Sequence, residues 1–175
     1  DDKDVSVRQA ASEALAISAP VFPSGVDIII HNELRSFEPN RSKQAFKGLE
    51  SLCEAWPEVA CDHIDELFLE TDAELRLKGA KLLGRVLVKS GHIGWDLVSW
   101  ALNDDDPRVR RAAAKTLPKL SKVDTRIATI FSERALSDSD SQVRISAVKA
   151  IRSLDKDSGR ARELILKGAS SKDVE

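Results

Sequence analysis

The sequence has few of the residues that are typical of membrane, secreted or disulfide-rich proteins. Its 175 residues include no methionine, no tyrosine and two cysteines, Cys53 and Cys61, and only 5% are aromatic. The most apolar stretch, VDIII at residues 26–30, is much shorter than the ~20 residues of a membrane span. Two cysteines make no disulfide framework, so we expect reduced, buried thiols in an intracellular, cytoplasmic protein with no membrane partner.

A strong net charge is also absent. Charged residues make up 32% of the chain, yet the formal net charge is only -2, and 42% of the residues are hydrophobic. This balance excludes a disordered chain and a globally basic nucleic-acid binder, although it allows a local basic patch. The length suits one domain with a sizeable core. Because the chain begins without methionine and in the middle of a repeating pattern, we expect a fragment of a longer repeat array.

The sequence does contain an internal repeat with a period of 34 residues and no gaps. Arginine recurs at Arg8, Arg76, Arg110 and Arg144, and Ser42 takes its place in the second repeat. A small residue follows three positions later, and an aliphatic residue follows seven positions later. An acid stands four positions before each of these sites, and these acids are Asp4, Glu38, Asp72, Asp106 and Asp140.

Each repeat has the pattern of a helical hairpin. The recurring acid is predicted to cap the N-terminus of a helix, and Pro39 and Pro107 fall at the first helical position, where a missing N–H costs nothing. Apolar residues then follow at helical spacing. The pattern predicts second helices near 5–18, 39–53, 73–89, 107–121 and 141–154, and first helices near 24–37, 57–70, 92–103, 124–137 and 158–170. No segment alternates with period two, so no strand is predicted.

The stretches DPRVRRAAAKTL and DSQVRISAVKAI resemble HEAT repeats. Tetratricopeptide repeats share the period, but their Trp-Leu-Gly-Tyr pattern is absent. The resemblance implies an all-α fold, a right-handed α-solenoid (α-α superhelix) of about five hairpins that forms a single domain over residues 1–175. It also implies a ladder between turn acids and arginines, which here are Asp2 and Arg8, Glu70 and Arg76, Asp104 and Arg110, and Asp138 and Arg144. The second repeat has Ser36 and Ser42 instead, so we expect a weaker ladder there.

The resemblance places the binding side of the solenoid on the concave face, which the second helices line. Their four outward rows hold eight bases and three acids in a chain of net charge -2, so we expect a basic groove and an acidic back. The alternative is that lysine simply suits exposed helical positions that the repeats have copied. The predicted groove residues are Lys43, Lys47, Lys81, Arg108, Arg111, Lys115, Lys149 and Arg152.

Two tryptophans lie in the first helix of the fourth repeat. Trp95 borders the apolar stripe and is interpreted as a core residue. Trp100 lies off that stripe, so it is either an exposed anchor for a partner or packed against a neighbouring repeat.

The sequence carries no catalytic constellation. None of the three histidines, His31, His63 and His92, is followed by glutamate, unlike those of the iron-binding HEAT-like deoxyhypusine hydroxylases, so no metal or other cofactor is predicted. GWDLVSW with RVRRAA is faintly similar to HEAT-like alkylpurine DNA glycosylases, although Asp96 directly follows Trp95 and no aromatic lies in the groove rows. HEAT-containing phycobilin lyases are a further possibility, which no specific residue supports.

We therefore predict a non-enzymatic scaffold that binds proteins through its basic groove. The predicted partner is an acidic protein surface or an acidic peptide. The alternative is a nucleic-acid-binding HEAT protein related to the alkylpurine DNA glycosylases.

Overall fold

The computed structural model describes residues 4–90, 94–154 and 166, and all regular structure in these ranges is helical. The helices are α1 (Val5–Ser18), α2 (Pro23–Glu33), α3 (Pro39–Ala55), α4 (Pro57–Phe68), α5 (Ala73–Ser90), α6 (Trp95–Leu102), α7 (Pro107–Ala114), α8 (Leu117–Val123), α9 (Thr125–Ala135) and α10 (Ser141–Leu154). Asp2, His92 and the first helix predicted near 158–170 lie outside the described residues.

The helices stack in two layers, as the repeat predicts. The second helices form one layer, in which α1 contacts α3, α3 contacts α5, α5 contacts α7 and α8, and these contact α10. The first helices α2, α4, α6 and α9 form the other layer. The apolar rows of both layers are buried between them, with Ile30, Leu49, Ile64, Leu83 and Leu117 among the fully buried side chains. The predicted all-α solenoid is therefore confirmed.

Most second helices begin at an aspartate whose side chain caps the N-terminus of the helix. Asp4 and Asp106 accept hydrogen bonds from the N–H groups of Ser6 and Arg108, and Asp140 accepts one from Gln142. These bonds satisfy N–H groups that have no partner inside the helix. Glu38 is the N-cap residue of α3, as predicted, but its side chain makes no capping hydrogen bond. Glutamate is not among the residues that cap well, and α3 instead begins at Pro39.

The single second helix predicted near 107–121 is also wrong, because two helices, α7 and α8, occupy that stretch. A tight turn separates them, in which the Thr116 N–H donates to the Ala113 carbonyl at 2.9 Å. Pro118 explains the break, since it has no N–H to offer the carbonyl of Ala114 and its ring would clash with that oxygen. Pro118 is accommodated instead in the first turn of α8, where its missing N–H leaves no bond unmade.

Candidate ligand-binding groove on the second helices

The ladder arginines join successive repeats rather than the two halves of one repeat. Arg76 Nε donates to Asp104 Oδ2 at 2.7 Å, and Arg110 Nε donates to Asp138 Oδ2 at 2.9 Å. Within its own repeat, Arg110 Nη1 donates to the backbone carbonyl of Asp104 at 2.8 Å. The predicted pairing of Arg110 with the Asp104 carboxylate is therefore wrong. Arg76 and Arg110 thus bind the backbone of their own turn and the carboxylate of the following repeat, whereas Arg144 donates to the backbone carbonyls of Asp138 and Ser139.

At the second repeat a different arginine replaces the missing member of the ladder. Ser42 is buried and donates to the Leu34 carbonyl at 2.9 Å, and Lys78 Nζ donates to its hydroxyl. Glu70 is paired with Arg35, which comes from the turn after α2 and also reaches Glu66. The seam that was expected to be weak thus contains its own ion-pair network. The sequence analysis missed Arg35 because that residue stands outside the repeating row.

Two of the predicted groove bases are already paired with acids at the starts of second helices. Arg111 Nε donates to Asp140 Oδ2 at 2.9 Å, and this contact lowers the pKa of Asp140 to about 2. Arg108 pairs with its own cap, Asp106, and with Glu74 of the preceding second helix. Neither arginine carries an uncompensated charge, so the groove is less basic than the count of residue types suggests.

The other predicted groove bases are exposed, and none forms a hydrogen bond or ion pair with another described residue. They are Lys43, Lys47, Lys81, Lys115, Lys149 and Arg152. Lys47, Lys81, Lys115 and Lys149 occupy the same position in successive repeats. They form an exposed row, which we call the lysine row, along the second helices.

A basic depression on this face lies where α5 meets α7 and α8. It has a volume of about 320 Å³. Lys81, Lys115 and Lys119 supply its charged lining together with the paired Arg108 and Arg111, and no acid lines it. Lys119 was not predicted, because its row, which has Ile17, Ser51 and Ser153 in other repeats, is not one of the four outward rows. Its position one helical turn after Lys115 is the signal that could have identified it.

A smaller depression of about 170 Å³ lies between α1 and α3. Its lining includes three bases, Arg8, Lys43 and Lys47, and the amide side chains of Gln9, Asn40 and Gln44. Gln44 is partly committed, since its amide donates to the Arg8 carbonyl at 3.1 Å. This end of the second-helix face is therefore more polar and less charged than the depression between α5 and α8.

The two tryptophans of α6 differ in their surroundings. Trp95 packs against the core, as interpreted from the sequence. The side chain of Trp100 is 56% exposed on the other layer. Its role as an anchor for a partner stays a prediction.

The described residues supply no group suited to metal or thiol chemistry. No three His, Cys, Asp or Glu side chains in this part of the chain are placed to hold a metal ion. Burial raises the pKa of the Cys53 thiol to about 12 and that of Cys61 to about 11, so both remain protonated and unreactive at neutral pH. No helix in the described ranges combines the length and the apolar character that crossing a bilayer requires.

Two engineered proteins, both solved as crystal structures by the Northeast Structural Genomics Consortium, are similar in fold. The first is 18% identical, with a TM-score of 0.55, and the match covers 93% of this chain and 78% of that chain. The second is 16% identical, with a TM-score of 0.53, and the match covers 97% and 83%. No curated protein matches the sequence.

These structural likenesses show the fold alone. The family model of HEAT repeats matches residues 62–152, which is more than half of the chain. The match includes the ladder arginines Arg76, Arg110 and Arg144 and the depression between α5 and α8. The chain therefore belongs to the HEAT-repeat family.

Proposed function

We propose that the chain is a non-enzymatic scaffold whose second-helix face binds an acidic surface or an acidic peptide of a partner protein. HEAT repeats generally serve as protein-interaction scaffolds. The observation that carries the finer proposal is the lysine row, which is exposed and has no acidic partner among the described residues. Uncompensated charge of one sign along a groove attracts a partner of opposite charge and speeds its association.

Apolar groups beside the lysines favour a protein partner over a bare phosphate backbone. Leu77 lines the depression between α5 and α8, and Ile145 is exposed on α10. No aromatic side chain lines either depression on this face, so nucleic-acid bases have no surface on which to stack. Because Glu74 and Asp140 neutralise Arg108 and Arg111, these two arginines add no net positive charge to attract a continuous polyanion.

The experiment that tests the proposal reverses three lysines of the row. The variant carries Lys81→Glu, Lys115→Glu and Lys149→Glu, and its binding to an array of Asp- and Glu-rich peptides is compared with that of the wild type. We expect slower association and at least about tenfold weaker binding, because steering and contact charge are both lost. Far-UV circular dichroism should be unchanged, since all three side chains are exposed.

A second triple variant controls for net charge. Lys122→Glu, Arg126→Glu and Arg134→Glu change the net charge by the same amount at exposed positions outside the lysine row. This control should bind the acidic peptides nearly as well as the wild type. Equal weakening by both triple variants would reject the groove. Preferential binding of duplex DNA, with a steep dependence on salt and release of bases from alkylated duplex, would establish the glycosylase-like alternative instead.

A further inference from the structure

The depression between α5 and α8 has a charge pattern that differs from the rest of the second-helix face. Lys81, Lys115 and Lys119 line one opening, and none of them bonds to another described residue. The two arginines beside them are held by Asp106, Glu74 and Asp140. The depression therefore contains three ammonium groups without acidic partners among the described residues, beside two arginines whose charges are neutralised by acids.

The helices allow this cluster to form because α5 and α8 approach closely. A Cβ built on Gly84 of α5 would lie 3.3 Å from Lys119 Nζ and 3.6 Å from Thr116 Cγ2. The long side chain of Lys119 thus lies back over α5, where Gly84 leaves space for it. Lys119 thereby reaches the opening that Lys81 and Lys115 line, although it comes from the short helix after the break.

The three ammonium groups carry more positive charge than one carboxylate can neutralise. A glutamate side chain brings a single negative charge and two oxygens. A phosphate monoester carries ≈ -1.5 to -2 charges at pH 7 and presents three strong acceptor oxygens. Each lysine ammonium supplies up to three donors, so three lysines match a tetrahedral dianion better than a planar monoanion.

The depression is also large enough to hold residues next to a phosphorylated side chain as well as the phosphate group itself. Its volume of about 320 Å³ leaves room for residues that flank a phosphorylated side chain. Leu77 and Ala112 provide apolar lining for such neighbours. A mixed lining of this kind fits a peptide segment, whereas a free inorganic phosphate would leave the apolar part empty.

From this arrangement we propose that the depression lined by Lys81, Lys115 and Lys119 is a subsite for a phosphorylated side chain of a partner protein. The proposal rests on the proposed function, because it names the chemistry of the acidic group that the same face would hold. It makes binding conditional on modification of the partner. A phosphorylated segment would bind, and its unmodified form would be released.

The test uses three peptide arrays that are identical except at one fixed position, which is phosphoserine, glutamate or serine, with degenerate flanking residues. We expect the chain to bind the phosphoserine array at least about tenfold more tightly than the glutamate array, because the dianion makes additional charge-assisted hydrogen bonds. Binding to the serine array should be weaker still. Lys81→Gln, Lys115→Gln and Lys119→Gln together should abolish the preference for phosphoserine.

The matched control is Lys122→Gln with Arg126→Gln and Arg134→Gln, which removes three exposed charges outside the lysine row and both depressions and should keep the preference. Equal binding to the glutamate and phosphoserine arrays would overturn the phosphate subsite and leave the acidic-partner scaffold standing. Failure to bind any of the arrays would overturn both. Stronger binding of single-stranded or duplex nucleic acid than of the phosphoserine array would reject a protein ligand at this site.

Discussion

At the residue scale, the ladder arginines stabilise the contact between neighbouring repeats. The side chains of Arg110 and Asp138 are only 14% and 11% exposed, so the loss of either one leaves a largely desolvated charge without its partner. We expect Arg110→Ala and Asp138→Ala each to lower the free energy of unfolding by about 1–3 kcal/mol. Their effects should be strongly non-additive in a double-mutant cycle measured by chemical denaturation.

The control for this cycle is an inter-repeat pair outside the ladder. Arg85 and Glu54 are 42% and 61% exposed, and they lie 2.8 Å apart between nitrogen and oxygen. Solvent screens such a pair, so its coupling energy should be about 0.2–1 kcal/mol. Additive losses at Arg110 and Asp138 would show that the ladder pair does not stabilise the stack.

A second residue-scale prediction concerns the pH dependence of Asp140. The hydrogen bond from Arg111 lowers its pKa to about 2. A carboxyl group whose folded pKa is depressed stabilises the fold above its unfolded pKa of about 3.9, and this contribution is lost as the pH falls toward 2. Arg111→Gln should therefore raise the pKa of Asp140 toward its ordinary value. It should also flatten the loss of stability below pH 4.

The measurement is an NMR titration of the carboxyl carbon of Asp140. Arg108→Gln serves as the control, because Arg108 pairs with Asp106 and Glu74 and its removal should leave the pKa of Asp140 unchanged. Part of the depression at Asp140 should survive in Arg111→Gln, since the N–H groups of Gln142 and Val143 still donate to it. An unchanged pKa in that variant would contradict the assignment of the pair.

At the element scale, one glycine in α3 and one in α5 lie at contacts between second helices, and their surroundings differ. A Cβ on Gly48 in α3 would lie 2.8 Å from Leu15 Cδ2 of α1, which packs against the core. A Cβ on Gly84 in α5 would lie 3.3 Å from Lys119 Nζ, the mobile end of a long side chain. The same substitution should therefore have opposite effects at the two positions.

We expect Gly48→Ala to destabilise the chain by about 1–3 kcal/mol, because α1 and α3 must move apart. Gly84→Ala should stabilise it by about 0.5–1 kcal/mol, because alanine favours the helix interior and the lysine can shift. Urea denaturation of the two variants measures both values. Destabilisation by Gly84→Ala similar to that by Gly48→Ala would mean that α5 and α8 are as closely packed as α1 and α3.

At the scale of the whole molecule, the stack leaves apolar surface exposed beside α1 and α2. Val7 and Ile29 are 48% and 45% exposed, and both line a cleft of about 330 Å³ together with Ala11 and Leu15. The cleft is also lined by Arg8, Glu33, Arg41 and Gln44, but exposed apolar side chains grouped in this way tend to be covered by another surface. We expect the chain of 175 residues to self-associate as its concentration rises.

Ile29→Lys should weaken this self-association, as measured by sedimentation velocity over a range of concentrations. The control is Ile145→Lys, which alters a residue of similar exposure, 44%, on the distant α10. Both variants gain one positive charge, so general repulsion affects them equally. A wild-type chain that stays monomeric at high concentration would contradict the prediction.

Much of the fold could be predicted from the sequence, because the signals are local. The period, the prolines at Pro39 and Pro107 and the caps at Asp106 and Asp140 act within one or two helical turns. The errors arose where a local rule was applied without its exceptions. Glu38 stands at an N-cap position, but its side chain makes no capping hydrogen bond, and Pro118 breaks the helix predicted near 107–121.

The partners of the charged residues could not be predicted in this way. Arg76 and Asp104 are 28 positions apart in sequence, and Arg35 and Glu70 are 35 apart. Which carboxylate each arginine reaches depends on how far one repeat is displaced from the next, and the repeat pattern contains no measure of that displacement. The sequence by itself determined a stack of helical hairpins with lysines along the second helices. Only the tertiary structure decided that Arg108 and Arg111 are neutralised and that Lys119 joins Lys81 and Lys115, because these outcomes depend on distances between helices.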